Sequence, residues 1–88
     1  MVRAKQTDEA IAIIQKLGFT AYEAKTYLGL LACQPATAYE VAKKSTVPSS
    51  KIYETLNRLM SKGIVQPTLS ATEHGQQYVA LSPKDFSE

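Results

Sequence analysis

The tetrapeptide Thr-Ala-Tyr-Glu occurs twice, at residues 20–23 and 37–40. In each copy a threonine stands three residues before a glutamate, the spacing at which the two side chains satisfy each other's free backbone N–H groups at a helix start. Two helices are thereby set to begin at Ala21 and Ala38. The first is expected over 21–32, where Ala24, Tyr27, Leu28, Leu30 and Leu31 leave it apolar around much of its circumference, as suits the central helix of a core. It stops before Gln34-Pro35. The second, over 38–44, is short, and Val41 with Ala42 gives it a narrow buried stripe.

The flanking segments complete a recognisable order. A leading helix is expected over 7–17, with Thr7 as N-cap, Asp8 and Glu9 in its first turn, Ala10, Ile11, Ile13, Ile14 and Leu17 at helical spacing, and Gly18 ending it in a left-handed conformation. After residue 44, Ser45-Thr46-Val47 supplies a turn with Val47 placed to enter the core. Pro48 fixes the chain at the entry to a further helix over 49–62, which Ser49 can cap. On that helix Ile52, Leu56, Leu59 and Met60 share one sector, Ser50, Lys51, Glu54, Asn57, Arg58 and Ser61 fall opposite, and Tyr53 lies at the border. Lys62-Gly63 ends it. The period then changes: Ile64 to Leu69, a polar turn over 70–75 and Gln76 to Leu81 read as a hairpin, with Pro67 calling for an edge strand or a bulge. The expectation is one domain over 1–88, mainly α with a small β-hairpin. It is a winged helix-turn-helix of three to four helices plus a two-stranded wing over 64–81.

Composition bounds what such a domain can do. With 88 residues, 44% of them hydrophobic, the chain has material for one core. No apolar run approaches the roughly 18 residues that span a bilayer, and the start lacks the apolar stretch of a secretion signal, so a cytoplasmic protein is expected. A single cysteine, Cys33, closes no internal disulfide and reads as an inert, buried thiol. One histidine and one cysteine make no metal cluster of ordinary spacing, and no nucleophile with a base and an orienter is identifiable. Neither an enzyme nor a cofactor is expected. His74 reads as a solvent-exposed turn residue.

Charge points to a partner. The net charge is only +2, yet residues 1–42 balance four basic against four acidic groups, while 43–62 set five basic groups against Glu54. The excess sits on the helix-turn-helix, whose second helix carries the residue types that address base edges and phosphates in a major groove. Double-stranded DNA is the expected partner, contacted by Thr37, Lys44, Ser49, Ser50, Lys51, Tyr53, Asn57, Arg58 and Lys62. Ile11, Ile14 and Leu17 offer more apolar surface than one small core requires and are expected to pair two copies into a homodimer. Arg3 and Lys5 read as a frayed terminus rather than a groove-reaching arm. The rival is a winged helix whose same face docks a protein, supported by the low net charge.

Three stretches also resemble a known family, the N-terminal DNA-binding domain of the TrmB-like transcriptional regulators. Leu17-Gly18-Phe19-Thr20-Ala21-Tyr22-Glu23-Ala24-Lys25-Thr26-Tyr27-Leu28 is similar to its LGLTxYEAKxYLxLL opening. Pro35-Ala36-Thr37-Ala38-Tyr39-Glu40-Val41-Ala42 is similar to its PATAxELA, and Val47 to Leu56, Leu59 and Lys62-Gly63-Ile64-Val65 to its VPxSxVYxxLxxLxxKGxV. The resemblance implies a homodimer that binds operator DNA through the helix over 49–62 and regulates transcription, often of sugar transport or metabolism genes. Two departures qualify what carries over. Family members usually continue into a coiled segment and an effector-binding domain, so sugar sensing has no residues here to perform it and no effector site is expected; the chain reads as a stand-alone regulator or a fragment. The wing holds no Lys or Arg between Lys62 and Lys84 and so offers no cation to a flanking groove.

Overall fold

Both capping boxes close. Thr20 Oγ1 accepts the Glu23 N–H at 3.0 Å while Glu23 Oε1 accepts the Thr20 N–H at 2.9 Å; Thr37 and Glu40 exchange the same bonds at 3.3 and 2.9 Å. The computed structural model describes residues 3–72 and 75–81, with side chains described over 9–69 and 75–81. In chain order the elements are α1 (Arg3–Lys16), α2 (Ala21–Cys33), β1 (Ala36–Thr37), α3 (Ala38–Ser45), α4 (Ser49–Ser61), β2 (Val65–Thr72) and β3 (Gly75–Ala80). None of these helices is long and apolar enough to cross a membrane.

The leading helix starts earlier than the sequence suggested. Thr7 lies inside α1 rather than at its N-cap, and its side chain is outside the described residues. Arg3, Ala4, Lys5 and Gln6 are all good helix formers, so nothing in that stretch halts the helix at Thr7. At the other end the Leu17 and Gly18 N–H groups bond back to Ile14 and Gln15, and Gly18 takes a φ of 102°.

The core forms where α2, α3, α4 and the sheet meet. Tyr27, Leu30, Val41, Ile52, Leu56, Leu59 and Val65 are almost wholly buried there, and Ile14, Phe19, Leu28, Leu31 and Met60 pack against them. At about 25 cal/mol per Å² of apolar surface removed from water, such side chains supply most of the stabilisation of a domain this size. The Tyr27 hydroxyl, carried into the interior on α2, donates to the Leu81 carbonyl at 2.7 Å and ties the helix to the end of β3.

A third strand joins the expected hairpin. The antiparallel sheet has the order β1-β3-β2, with Ala36 opposite Tyr78 and Thr37 opposite Gln77. The capping box itself accounts for it: an N-cap residue keeps extended dihedrals, and Thr37 at φ −77°, ψ 166° presents a strand-like backbone to β3 before α3 begins. Two residues are too few to leave a period in the sequence. The hairpin is also longer than expected, since Ala71 pairs with Gln76 and Thr72 with Gly75, so most of the anticipated turn over 70–75 is strand. The register shifts between Pro67 and Ala71, and β2 lies at the sheet edge, which accommodates the missing N–H of Pro67 on both counts. His74 is outside the described residues.

Candidate nucleic-acid interface

The pair α3 and α4 is held by an unusually close approach of α2. A Cβ built on Gly29 would sit 2.8 Å from the Ser45 Cβ, so α3 meets α2 at backbone distance where its helix ends. Ser45 Oγ donates to the Val41 carbonyl at 2.7 Å and lies 3.4 Å from the Val47 N–H that it accepts. Thr46 then turns the chain with φ 60° and ψ 22°, and Val47, 3% exposed, anchors the turn in the core. The consequence is a fixed angle between the two helices and a fixed outward direction for α4.

That helix begins without a side-chain cap. Ser49 was expected to cap it, but Pro48 is the N-cap residue and Ser49 the first helical position, so no side-chain oxygen closes the first turn. The Lys51 N–H bonds to the Pro48 carbonyl at 2.9 Å. Pro48, with φ −57° and ψ 141°, sets the geometry in place of a hydrogen-bonding cap. Ser49 and Ser50 stand exposed at this positive helix end, where an anion is stabilised by backbone N–H groups and the helix dipole.

Ile52, Thr55, Leu56 and Leu59 form the buried stripe of α4, and Ser49, Ser50, Lys51, Tyr53, Glu54, Asn57, Arg58 and Ser61 are exposed. At about 100° per residue, Ser50, Glu54, Asn57 and Ser61 fall within about 30° of the direction opposite that stripe. Lys51 and Arg58 occupy one flank, beside Thr20 and Tyr22 at the start of α2, and Tyr53 occupies the other, near Tyr78 of β3. Arg58 donates to Glu54 at 2.9 Å, one helical turn away, with both side chains more than half exposed. Lys43 and Lys44 extend the basic surface from α3; the Lys43 ammonium lies 5.4 Å from the centre of the Tyr39 ring.

Two residues expected at the interface are engaged elsewhere. Thr37 is 4% exposed, and its hydroxyl is committed to the capping box of α3. Thr20 caps α2 in the same way and stays exposed; Thr37 is covered because it also pairs with Gln77 of β3. Lys62 reaches back to α2, where its ammonium sits 3.4 Å from Glu23 Oε1 and 4.5 Å from the Phe19 ring centre. Glu23 is 3% exposed, so this cation neutralises a carboxylate that would otherwise be buried with only hydrogen bonds for company.

The expected pairing surface also changes. Ile14 packs on the core, Ile11 lines the cleft between α1, α2 and α3, and Leu17 is 66% exposed. Ile13, which the pairing set omitted, is 61% exposed and joins Leu17 as the outward apolar side of α1. Leu17 lies just past the end of α1; the period alone could not say which isoleucines the core would cover. Lys62 was equally opaque, because its partner is 39 residues away. The Glu54 and Arg58 pair, at a spacing of four, was open to reading from the sequence.

A protein-family model described as the sugar-specific transcriptional regulator TrmB matches residues 14–84. The chain is 45% identical over 81 residues to the uncharacterized protein YrhO of Bacillus subtilis, covering 90% of this chain and 28% of that protein. It is 41% identical over 58 residues to the HTH-type sugar sensing transcriptional regulator TrmBL1 of Pyrococcus furiosus, covering 66% of this chain and 17% of that one. A solved structure of TrmBL2, described as an archaeal chromatin protein that shows a novel mode of DNA binding, is similar in fold, with a TM-score of 0.78 and 26% identity. That similarity covers 90% of this chain and 30% of the other. The chain thus spans less than a third of the length of each of these relatives.

Proposed function

This chain belongs to the TrmB family of transcriptional regulators, and from that premise we propose that it binds double-stranded DNA sequence-specifically, as a homodimer, to regulate transcription. The observation that carries the reading is the outward face of α4, where an uncapped helix start, Ser49, Ser50, Lys51, Tyr53, Asn57 and Arg58 are exposed together on a helix anchored by a buried stripe. Such a helix fits a major groove, with its first turns toward the base edges. Ser49, Ser50, Lys51 and Tyr53 hold phosphates or base edges near the helix start, Asn57 and Arg58 read or clamp further along, and Lys44 touches the backbone from α3. Two copies joined through the Ile13 and Leu17 side of α1 place two such helices in successive grooves about 34 Å apart, on an inverted repeat.

Ionic strength tests the reading. Neutralising phosphates with Lys43, Lys44, Lys51 and Arg58 releases counterions, so log affinity falls linearly with log salt at a slope of roughly −0.9 per contact. A titration of the protein on mixed duplex DNA between low and moderate salt is expected to give a slope of about −3 to −4 for each subunit bound. Affinity indifferent to salt would sink the proposal and favour a protein docked on the same face.

A further inference from the structure

At the apex of α4, where the helix would come nearest the bases, stands a carboxylate. Glu54 lies close to the direction opposite the buried stripe and is more than half exposed, and its Oε2 holds one guanidinium nitrogen of Arg58 at 2.9 Å. An anion facing a polyanion is unfavourable unless it meets a hydrogen-bond donor. In a major groove the only such donors are the amino groups of cytosine N4 and adenine N6. Adenine sets its N7 acceptor beside N6, so a carboxylate there gains one bond and meets a lone pair. Cytosine offers its N4 donor with no acceptor alongside, and its paired guanine presents O6 and N7, the two acceptors a guanidinium matches. The single contact from Glu54 leaves the remaining N–H groups of Arg58 free while holding the side chain in place. Charge balance alone gives little reason for the pair, since exposed ion pairs of this spacing contribute almost nothing to a fold.

We propose that Glu54 and Arg58 act together as the reading unit for one C·G base pair in each half-site, the carboxylate accepting from cytosine N4 and the guanidinium donating to guanine O6 and N7. The assignment rests on α4 being the groove-inserted helix, and it adds that the acidic residue of that helix is a specificity determinant. Glu54 discriminates by repulsion as well as by attraction, because any base without a donor at that place leaves the carboxylate unpaired.

The experiment is selection of bound duplexes from a randomised library by wild type, Glu54→Ala, Glu54→Gln and Arg58→Ala, followed by sequencing. Wild type is expected to recover a C·G pair at one fixed place in each half-site. Glu54→Ala is expected to lose roughly tenfold of the preference at that base pair while keeping it elsewhere. Glu54→Gln is expected to move the preference from cytosine toward adenine, whose N6 and N7 match a carboxamide. Arg58→Ala is expected to relax the same base pair. The proposal is overturned where Glu54→Ala tightens binding to all sequences equally with the motif unchanged, or where the Glu54 and Arg58 variants relax different base pairs. Wild type retaining no duplex even at low salt would overturn the DNA-binding reading itself, an outcome the variants' motifs cannot imitate. Both side chains are exposed, and the circular dichroism of each variant is expected to match wild type.

Discussion

Gly29 shows how one missing side chain can decide a geometry. Helix propensity alone favours alanine there by up to about 1 kcal/mol. A Cβ at that place, however, would press on Ser45 at 2.8 Å and on its backbone at 3.2 Å. Overpacking of this kind costs about 1–3 kcal/mol, so Gly29→Ala is expected to lower stability by about 1 kcal/mol despite the better propensity. Urea denaturation measures it, and an unchanged midpoint would show that α2 and α3 separate freely. Cys33 gives a second prediction. Its thiol donates to the Gly29 carbonyl at 3.2 Å, and burial pushes its pKa above the ordinary 9.0, with Glu40 adding to the rise and Lys44 opposing it. Tyr78 moves the same way above 10.0, first through burial and then through Tyr53. The folded state therefore holds both protons more tightly than the unfolded chain, and the stability this lends is whole below the unfolded values and lost as pH rises through the folded ones. Thermal unfolding followed upward from pH 9.0 is expected to show a falling midpoint, less steeply in Cys33→Ala. Identical profiles for the two proteins would assign the fall to groups other than Cys33.

Among the elements, α4 separates residues that face solvent from residues that build the core. Lys51 and Asn57 are exposed, so replacing either with alanine is expected to cost about 1 to 3 kcal/mol of binding to a selected duplex, read by fluorescence anisotropy. Thr37→Ala and Lys62→Ala are expected to act differently, lowering the unfolding midpoint while leaving the salt slope of binding unaltered. A lowered slope for Lys62→Ala would return that lysine to the interface. The reason for the contrast is local: the Thr37 hydroxyl serves α3 and the Lys62 ammonium serves Glu23, so neither is free to neutralise a phosphate. The sheet follows the same logic. β1 exists because a cap residue must be extended before the helix it starts, and the strand it makes covers one edge of β3.

For the whole molecule, aliphatic surface stands exposed at the end of α1 and at Leu69 of β2. Ile13 and Leu17 are each more than 60% exposed, while Ile14 is spent on the core. Leu17→Glu is expected to leave the unfolding midpoint nearly unchanged and to convert the proposed dimer to monomer in sedimentation equilibrium, with weaker binding to an inverted repeat than wild type. A variant that stays dimeric would move the pairing surface off α1. The charge distribution acts at this scale too. Lys43, Lys44 and Lys51 lie exposed across two elements that the turn at Thr46 and Val47 brings side by side.

Much of this was legible in the residues themselves. The repeated Thr-Ala-Tyr-Glu fixed two helix starts because a capping box is a local structure that needs only four consecutive residues. The stripe of Ile52, Leu56 and Leu59 fixed which side of α4 is buried, because a helix repeats its own neighbours every turn. Contacts between distant segments left no such trace. Lys62 on Glu23, Gly29 against Ser45, Ala36 beside Tyr78 and the choice of Ile14 over Ile13 for the core each join residues whose separation along the chain carries no period. Local hydrogen bonding and side-chain spacing determined the helices and the outward polar face; only packing in three dimensions decided which of its charges stay free to meet a partner.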